Sequence, residues 1–172
     1  MTQTGTDEHG RTQTGTDRVV IMDDAVKSQP RHLGLDLGKR RIGVAISDPL
    51  GGRPRPLPVI ERRNDQQAVE AIALLMDKYE VRVCVAGLPL NMDGTEGAQA
   101  LWARSFMGRL RKERPGAAYA WHDERLSTFA ANEFMKARGM KKSQRERLDD
   151  SISAMIILEE YLAQKEKALG AG

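Results

Sequence analysis

Three carboxylates in separate stretches of this chain occupy positions that need a chemical reason. Asp36 stands inside the apolar run GLDLGKRRIGVAISD, residues 34–48, although aspartate is depleted from strands. A charge placed there has to be paired or bound to a cation; the plain alternative is an aspartate that caps a turn at Gly38. Gly34, Gly38 and Gly43 leave room for another backbone or a phosphate to approach. Glu124 lies in HDERLST, residues 122–128, where a strand gives way to a helix with Ser127 placed as its N-cap. Strand ends in α/β sheets are where functional groups collect. Asp123 is a second candidate there, Arg125 can pair with either, and a charged helix entry explains the segment as well. Asp150, in LDDSISAMIILEEYL, shares a helical stripe with Ala154, Ile157, Leu158 and Tyr161. Asp149 lies about 100° away round the helix, and capping of the helix start accounts for the pair equally.

Carboxylates brought together from three elements can hold Mg²⁺ or Mn²⁺, two ions in the expected arrangement, because these hard cations prefer oxygen ligands. Such a pair activates water and stabilises the leaving 3′-oxygen of an in-line phosphodiester displacement. The nucleophile is then water, so the lack of a Ser-His-Asp pattern is no obstacle. Groups that would contact a nucleic acid lie nearby in sequence. Arg40 and Arg41 follow the turn at Gly38, and Asn91 sits in a glycine-rich loop, Gly87–Gly97, whose N–H groups can cradle a phosphate. A tight turn explains Asp93-Gly94 as well. The run Lys136–Arg147 sets six Lys/Arg against Glu146 around Gly139. Its Lys136, Lys141, Lys142 and Arg145 are candidates for backbone contacts, although such runs elsewhere are solvated surface. His122 fits a general base or a core histidine, and Cys84, inside an apolar run, fits core packing.

The elements that must position these groups follow from periodicity. His32–Leu37 and Arg41–Ser47 read as strands joined by a hairpin at Gly38-Lys39-Arg40, and Arg55–Glu61 as a third strand antiparallel to the second. Gln66–Tyr79 is an amphipathic helix with Val69, Ile72, Leu75 and Met76 on one face. Val81–Ala86 is a strand covered on both faces. A helix carrying Trp102, Phe106 and Leu110 follows, then a strand at Ala117–His122 and helices near Thr128–Arg138 and Asp149–Lys167. This order predicts an α/β domain with a mixed five-stranded sheet and helices on both faces.

Residues 1–30 differ in kind. They repeat TQTGTD at 2–7 and 12–17 and hold three basic residues against five acidic ones, a composition that reads as a disordered tail. The domain then runs over 31–167, followed by a flexible 168–172. Outside the tail, 24 Lys/Arg face 19 Asp/Glu, a mildly basic balance suited to a polyanion. A single cysteine excludes a disulfide framework and a cysteine-rich zinc site. No apolar run approaches the ~18 residues of a membrane helix, and the start carries no secretory signal pattern. The expectation is a cytoplasmic protein with no membrane partner; a homodimer is compatible, with no interface assigned.

With these motifs assembled, the chain resembles the YqgF/RuvX family of small RNase H-like proteins, described as Holliday-junction resolvases or pre-16S rRNA nucleases. The resemblance rests on GLDLGKRRIGVAISD, VAGLPLNMDGTEG, HDERLST and DDSISAMIILEEYL in that order, across about residues 32–165. It implies an RNase H-like fold, catalytic and metal-binding Asp36, Glu124 and Asp150, and a role in maturing the 5′ end of pre-16S ribosomal RNA. Branched-DNA cleavage is the alternative activity, and RNA binding without catalysis a further one. The first segment also resembles the first phosphate loop of actin-like ATPases and sugar kinases. Those need two lobes, more than this length holds.

Overall fold

The computed structural model describes residues 29–124 and 142–170, with side chains of the last helix from Asp150 onward. The expected helix near 128–138, the Ser127 cap, Arg125, Lys136, Lys141 and the tail to residue 28 lie outside the described residues.

Five strands form one mixed sheet: β1 (Arg31–Leu37), β2 (Arg41–Ile46), β3 (Arg55–Glu61), β4 (Val81–Leu88) and β5 (Ala118–Asp123). The spatial order is β3-β2-β1-β4-β5. β1, β2 and β3 form an antiparallel meander, while β4 and β5 run parallel to β1. The hairpin between β1 and β2 turns at Gly38, where a Cβ would overlap the carbonyl oxygen of Arg41. Each parallel step needs a crossover. These are helix α1 (Asp65–Lys78) and helix α2 (Ala98–Glu113). The Asn64 side chain caps α1 by accepting the Gln67 N–H at 2.9 Å, and Ala68, Val69, Ile72, Ala73 and Met76 bury its inner face.

Alternation along β1 divides its side chains between two layers. Leu33, Leu35 and Leu37 enter the core beneath α1 and α2 with Phe106 and Leu110. The opposite face carries Gly34 and Asp36 and is covered by the last helix, α3 (Lys142–Gly170), through Ala154, Ile157 and Leu158. Fully burying each such Leu or Ile is worth about 1.5–3 kcal/mol. The two small positions let α3 lie close: a Cβ on Gly34 would meet the Ala154 carbonyl at 2.6 Å, and one on Gly43 would overlap that of Asp150.

One boundary corrects the sequence reading. α3 spans Lys142–Gly170, so Asp149 and Asp150 are interior to it rather than at its start. The residues ahead of Asp149 are good helix formers, and propensity extends the helix beyond the apolar stripe that marks its packed part. Lys142 and Arg145 are therefore helical positions. Among the described residues, no helix is long and apolar enough to cross a membrane.

Candidate active site

Asp36 reaches the α3 side near the end of β1, and Glu124 comes directly after β5. Parallel pairing aligns these strand ends, with Gly87 of β4 opposite His122 and Leu88 opposite Asp123. The Glu124 N–H donates to the Leu88 carbonyl at 3.4 Å, holding the segment as it leaves the sheet. Gly87 makes room for the Glu124 side chain, because a Cβ at that position would overlap its carboxylate. α3 supplies Asp150 across Gly43.

The electrostatics tie the three together through Asp36. Burial, then the charge of Asp150, pushes its carboxyl from 3.8 up to about 6, and a hydrogen bond with the Ser153 side chain offsets part of that rise. Burial, then the charges of Asp36 and Asp123, pushes Glu124 from 4.5 up to about 7. Both carboxyls are thus held where their ionised forms are costly and a cation would be welcome. Asp150 already has a counter-charge: Arg41 Nε lies 3.0 Å from its Oδ2. Arg41, expected to touch nucleic acid, is instead half-buried and engaged with Asp150. Among the described residues, no three His, Cys, Asp or Glu side chains form a ready cage for a metal ion. The arrangement is two repelling carboxylates, with a third turned to an arginine.

The remaining candidates separate. Arg40 is exposed and its carbonyl accepts from Arg62 N–H at 2.8 Å. Asn91 is also exposed, but its Nδ2 donates to Thr95 Oγ1 at 2.8 Å. Three of the loop's N–H groups are already engaged within the loop. Asn91 N–H donates to Thr95 O at 2.9 Å, Gly94 N–H to Asn91 O at 2.8 Å, and Thr95 N–H to Asp93 Oδ1 at 2.9 Å. The tight-turn reading holds, with Gly94 at φ +84°. His122 is buried, and its Nε2 pairs with Glu160 of α3 at 2.7 Å. Cys84 is fully buried, which pushes its thiol up to about 12 and leaves it inert packing.

Sequence reasoning missed Ser153 and the specific part played by Gly87. Ser153 lies three residues beyond Asp150 on the same side of the helix, a signal that was present. Gly87 carried no signal beyond being glycine. A cleft of about 440 Å³ against Pro30, Arg31 and Tyr79 lies toward the opposite end of β1 and takes no part in this site.

The family model for RuvX, described as a Holliday junction resolvase, matches residues 30–164. The chain belongs to the RuvX family. Among its relatives is the "Putative pre-16S rRNA nuclease" of Acetivibrio thermocellus, 41% identical over 140 residues that cover 81% of this chain and 99% of that one. The protein of the same name from Halothermothrix orenii has the same identity and coverage. That from an Anaeromyxobacter species is 40% identical over 132 residues, covering 77% and 96%. The fold of this RuvX member is RNase H-like. It resembles Thermus thermophilus RuvC in complex with a Holliday junction substrate, with a TM-score of 0.55 at 14% identity, covering 80% of this chain and 97% of that one. A fowlpox virus Holliday junction resolvase superposes with a TM-score of 0.51 at 11% identity, covering 78% and 99%. At these identities the likeness concerns the fold.

Proposed function

We propose that this RuvX protein is a divalent-metal-dependent endonuclease that acts on the 5′ end of pre-16S ribosomal RNA in the cytoplasm. The observation that carries the reading is that, at one end of the sheet, the charge of Asp150 bears on the buried Asp36 and that of Asp36 on the buried Glu124. The donor set fits Mg²⁺ or Mn²⁺, because it is all carboxylate oxygen and lacks soft ligands. Asp36 and Glu124 would hold the cation, with Asp150 as the third donor. What a bound divalent cation supplies is activation of water and neutralisation of charge on the phosphodiester.

The chain's own residues do the rest. Gly87 gives Glu124 its room, Ser153 orients Asp36 by a hydrogen bond, and Arg41 pairs with Asp150 beside them. Arg41 can exchange this carboxylate for a substrate phosphate, which joins its expected and observed contacts in one role. The reaction adds water across a P–O bond, leaving a 3′-hydroxyl and a 5′-phosphate. All three carboxylates come from one chain, so the chemistry needs no second copy.

The family model's description keeps branched DNA as the competing substrate. Matched digestions of a 5′-extended pre-16S RNA and a synthetic four-way junction, with Mg²⁺, Mn²⁺ or EDTA, separate the two. The expected result is cation-dependent cleavage of the RNA leader. Preferential cutting of the junction would make the protein a resolvase, and binding without cutting would make it an RNA-binding protein.

A further inference from the structure

The outer edge of the sheet carries a feature that the carboxylate site does not use. β5 is an edge strand, and its Tyr119 and Trp121, two residues apart, both pack toward α2. Each ring is overlaid by an arginine of that helix. Arg104 lies 5.2 Å from the Trp121 ring centre and Arg111 5.3 Å from that of Tyr119. Together with Met107 and Gly108, these four side chains line a groove of about 200 Å³. The platforms are fixed before anything binds. The Tyr119 hydroxyl is held between the carbonyls of Leu110 and Arg114, at 3.2 and 2.8 Å. Arg104 is pinned by Glu96, its Nε lying 2.8 and 2.7 Å from the two carboxylate oxygens. Arg111 has no carboxylate partner among the described residues and leaves a positive charge in the groove. A Cβ on Gly108 would meet nothing within 4 Å, so the floor is open.

We infer that this groove binds an unpaired segment of the nucleic-acid substrate, its bases stacking on the arginine–aromatic platforms and its phosphates facing Arg111. The inference rests on the nuclease reading and adds a substrate class to it. Bases stack on aromatic faces and on guanidinium planes irrespective of sequence. Residues two apart on a strand are about 6.6 Å apart, roughly twice the 3.4 Å rise of a stacked duplex strand. Rings carried at that spacing suit a stretched single strand better than bases stacked at duplex rise. The groove lies on the α2 face of β5, opposite the face that carries Asp36, and runs toward the strand end from which Glu124 emerges, three residues beyond Trp121. A strand lying along it from Tyr119 to Trp121 would be directed toward the end of β5, where crossing the sheet edge brings it to Glu124.

The test is equilibrium binding by the full chain, without divalent metal, of a fluorescent single-stranded RNA of about ten nucleotides and of a blunt duplex of equal length. Gly108→Glu places bulk and negative charge in the groove at a helix position with open space, where a non-glycine residue also favours the helix. Gly116→Glu makes the same charge change at an exposed turn with equally open space. Gly108→Glu should weaken single-strand binding at least about tenfold, the loss of one stacked base, and weaken duplex binding no more than Gly116→Glu does. Arg111→Ala should reduce the salt dependence of single-strand binding. Unchanged single-strand affinity in Gly108→Glu would overturn the inference. So would sedimentation showing that the groove joins two copies of the chain and that Gly108→Glu separates them. Failure of the unaltered protein to bind either nucleic acid would overturn the nuclease reading as well, which distinguishes the two failures.

Discussion

Gly87 is the residue through which the Glu124 position can be tested without touching a carboxylate. A methyl group there would overlap the Glu124 carboxylate, so Gly87→Ala should displace that group while leaving its chemistry intact. A misplacement on the ångström scale costs about a hundredfold in rate. Cleavage by Gly87→Ala should fall by that order with its melting temperature little changed; an undiminished rate would remove Glu124 from the site. The raised carboxyls make a second prediction at this scale. Asp36 moves from 3.8 to about 6 and Glu124 from 4.5 to about 7. An acid with a higher pKa folded than unfolded binds more protons in the folded state between those two values. Its folded form is therefore relatively favoured at low pH and loses that advantage as pH rises from about 4 to about 7. In EDTA, this contribution should make the melting temperature fall between about pH 4 and pH 7, and Asp36→Asn should reduce the fall. A fall of equal size in the variant would contradict the assignment.

The element that matters most is α3, because it carries Asp150 and seals one face of the sheet. Its closeness depends on Gly43, where any Cβ would strike the Asp150 carbonyl. Gly43→Ala should cost about 1–3 kcal/mol, the usual penalty of overpacking, read as a lower urea midpoint. It should also reduce cleavage, since the helix that moves is the one bearing Asp150. A midpoint that stays put would mean that α3 does not press against β2 at Gly43. Much of this element was legible in the sequence. The stripe from Asp150 through Ala154 to Tyr161 faces the sheet as its spacing implied, and Gly34 and Gly43 were recognisable as sites of close approach. The start of the helix was not legible, because apolar periodicity stops at Asp150 while helix propensity continues back to Lys142. The pairing of Arg41 with Asp150 was hidden for another reason: the partners are far apart in sequence and meet only because α3 crosses the β1–β2 hairpin. In the 88–97 loop, glycine content signalled a turn and a phosphate cradle alike. The hydrogen bonds among Asn91, Asp93 and Thr95 establish the turn at Asp93-Gly94.

For the whole molecule, the family match begins at residue 30 and β1 at Arg31. Gln29 N–H donates to Pro49 O at 2.9 Å, so a chain beginning at Gln29 keeps the matched domain and this contact at its edge. It should cleave within about tenfold of the full chain, because the acidic bias of the tail opposes a polyanion rather than recruiting it. A larger loss, with melting temperature preserved, would give the tail a part in substrate handling. The proposed function requires Asp36, Glu124 and Asp150 to act as one cation-dependent hydrolytic site. It is tested most directly by the cleavage rate of 5′-extended pre-16S RNA across a Mg²⁺ titration, for the unaltered protein, Asp36→Asn and Asp149→Asn. Several kcal/mol of charge stabilisation correspond to about a thousandfold in rate. Asp36→Asn should lose at least that at every Mg²⁺ concentration while still binding the RNA, and Asp149→Asn, about 100° further round α3, should keep most of its activity. Cleavage by Asp36→Asn at the unaltered rate would contradict the account.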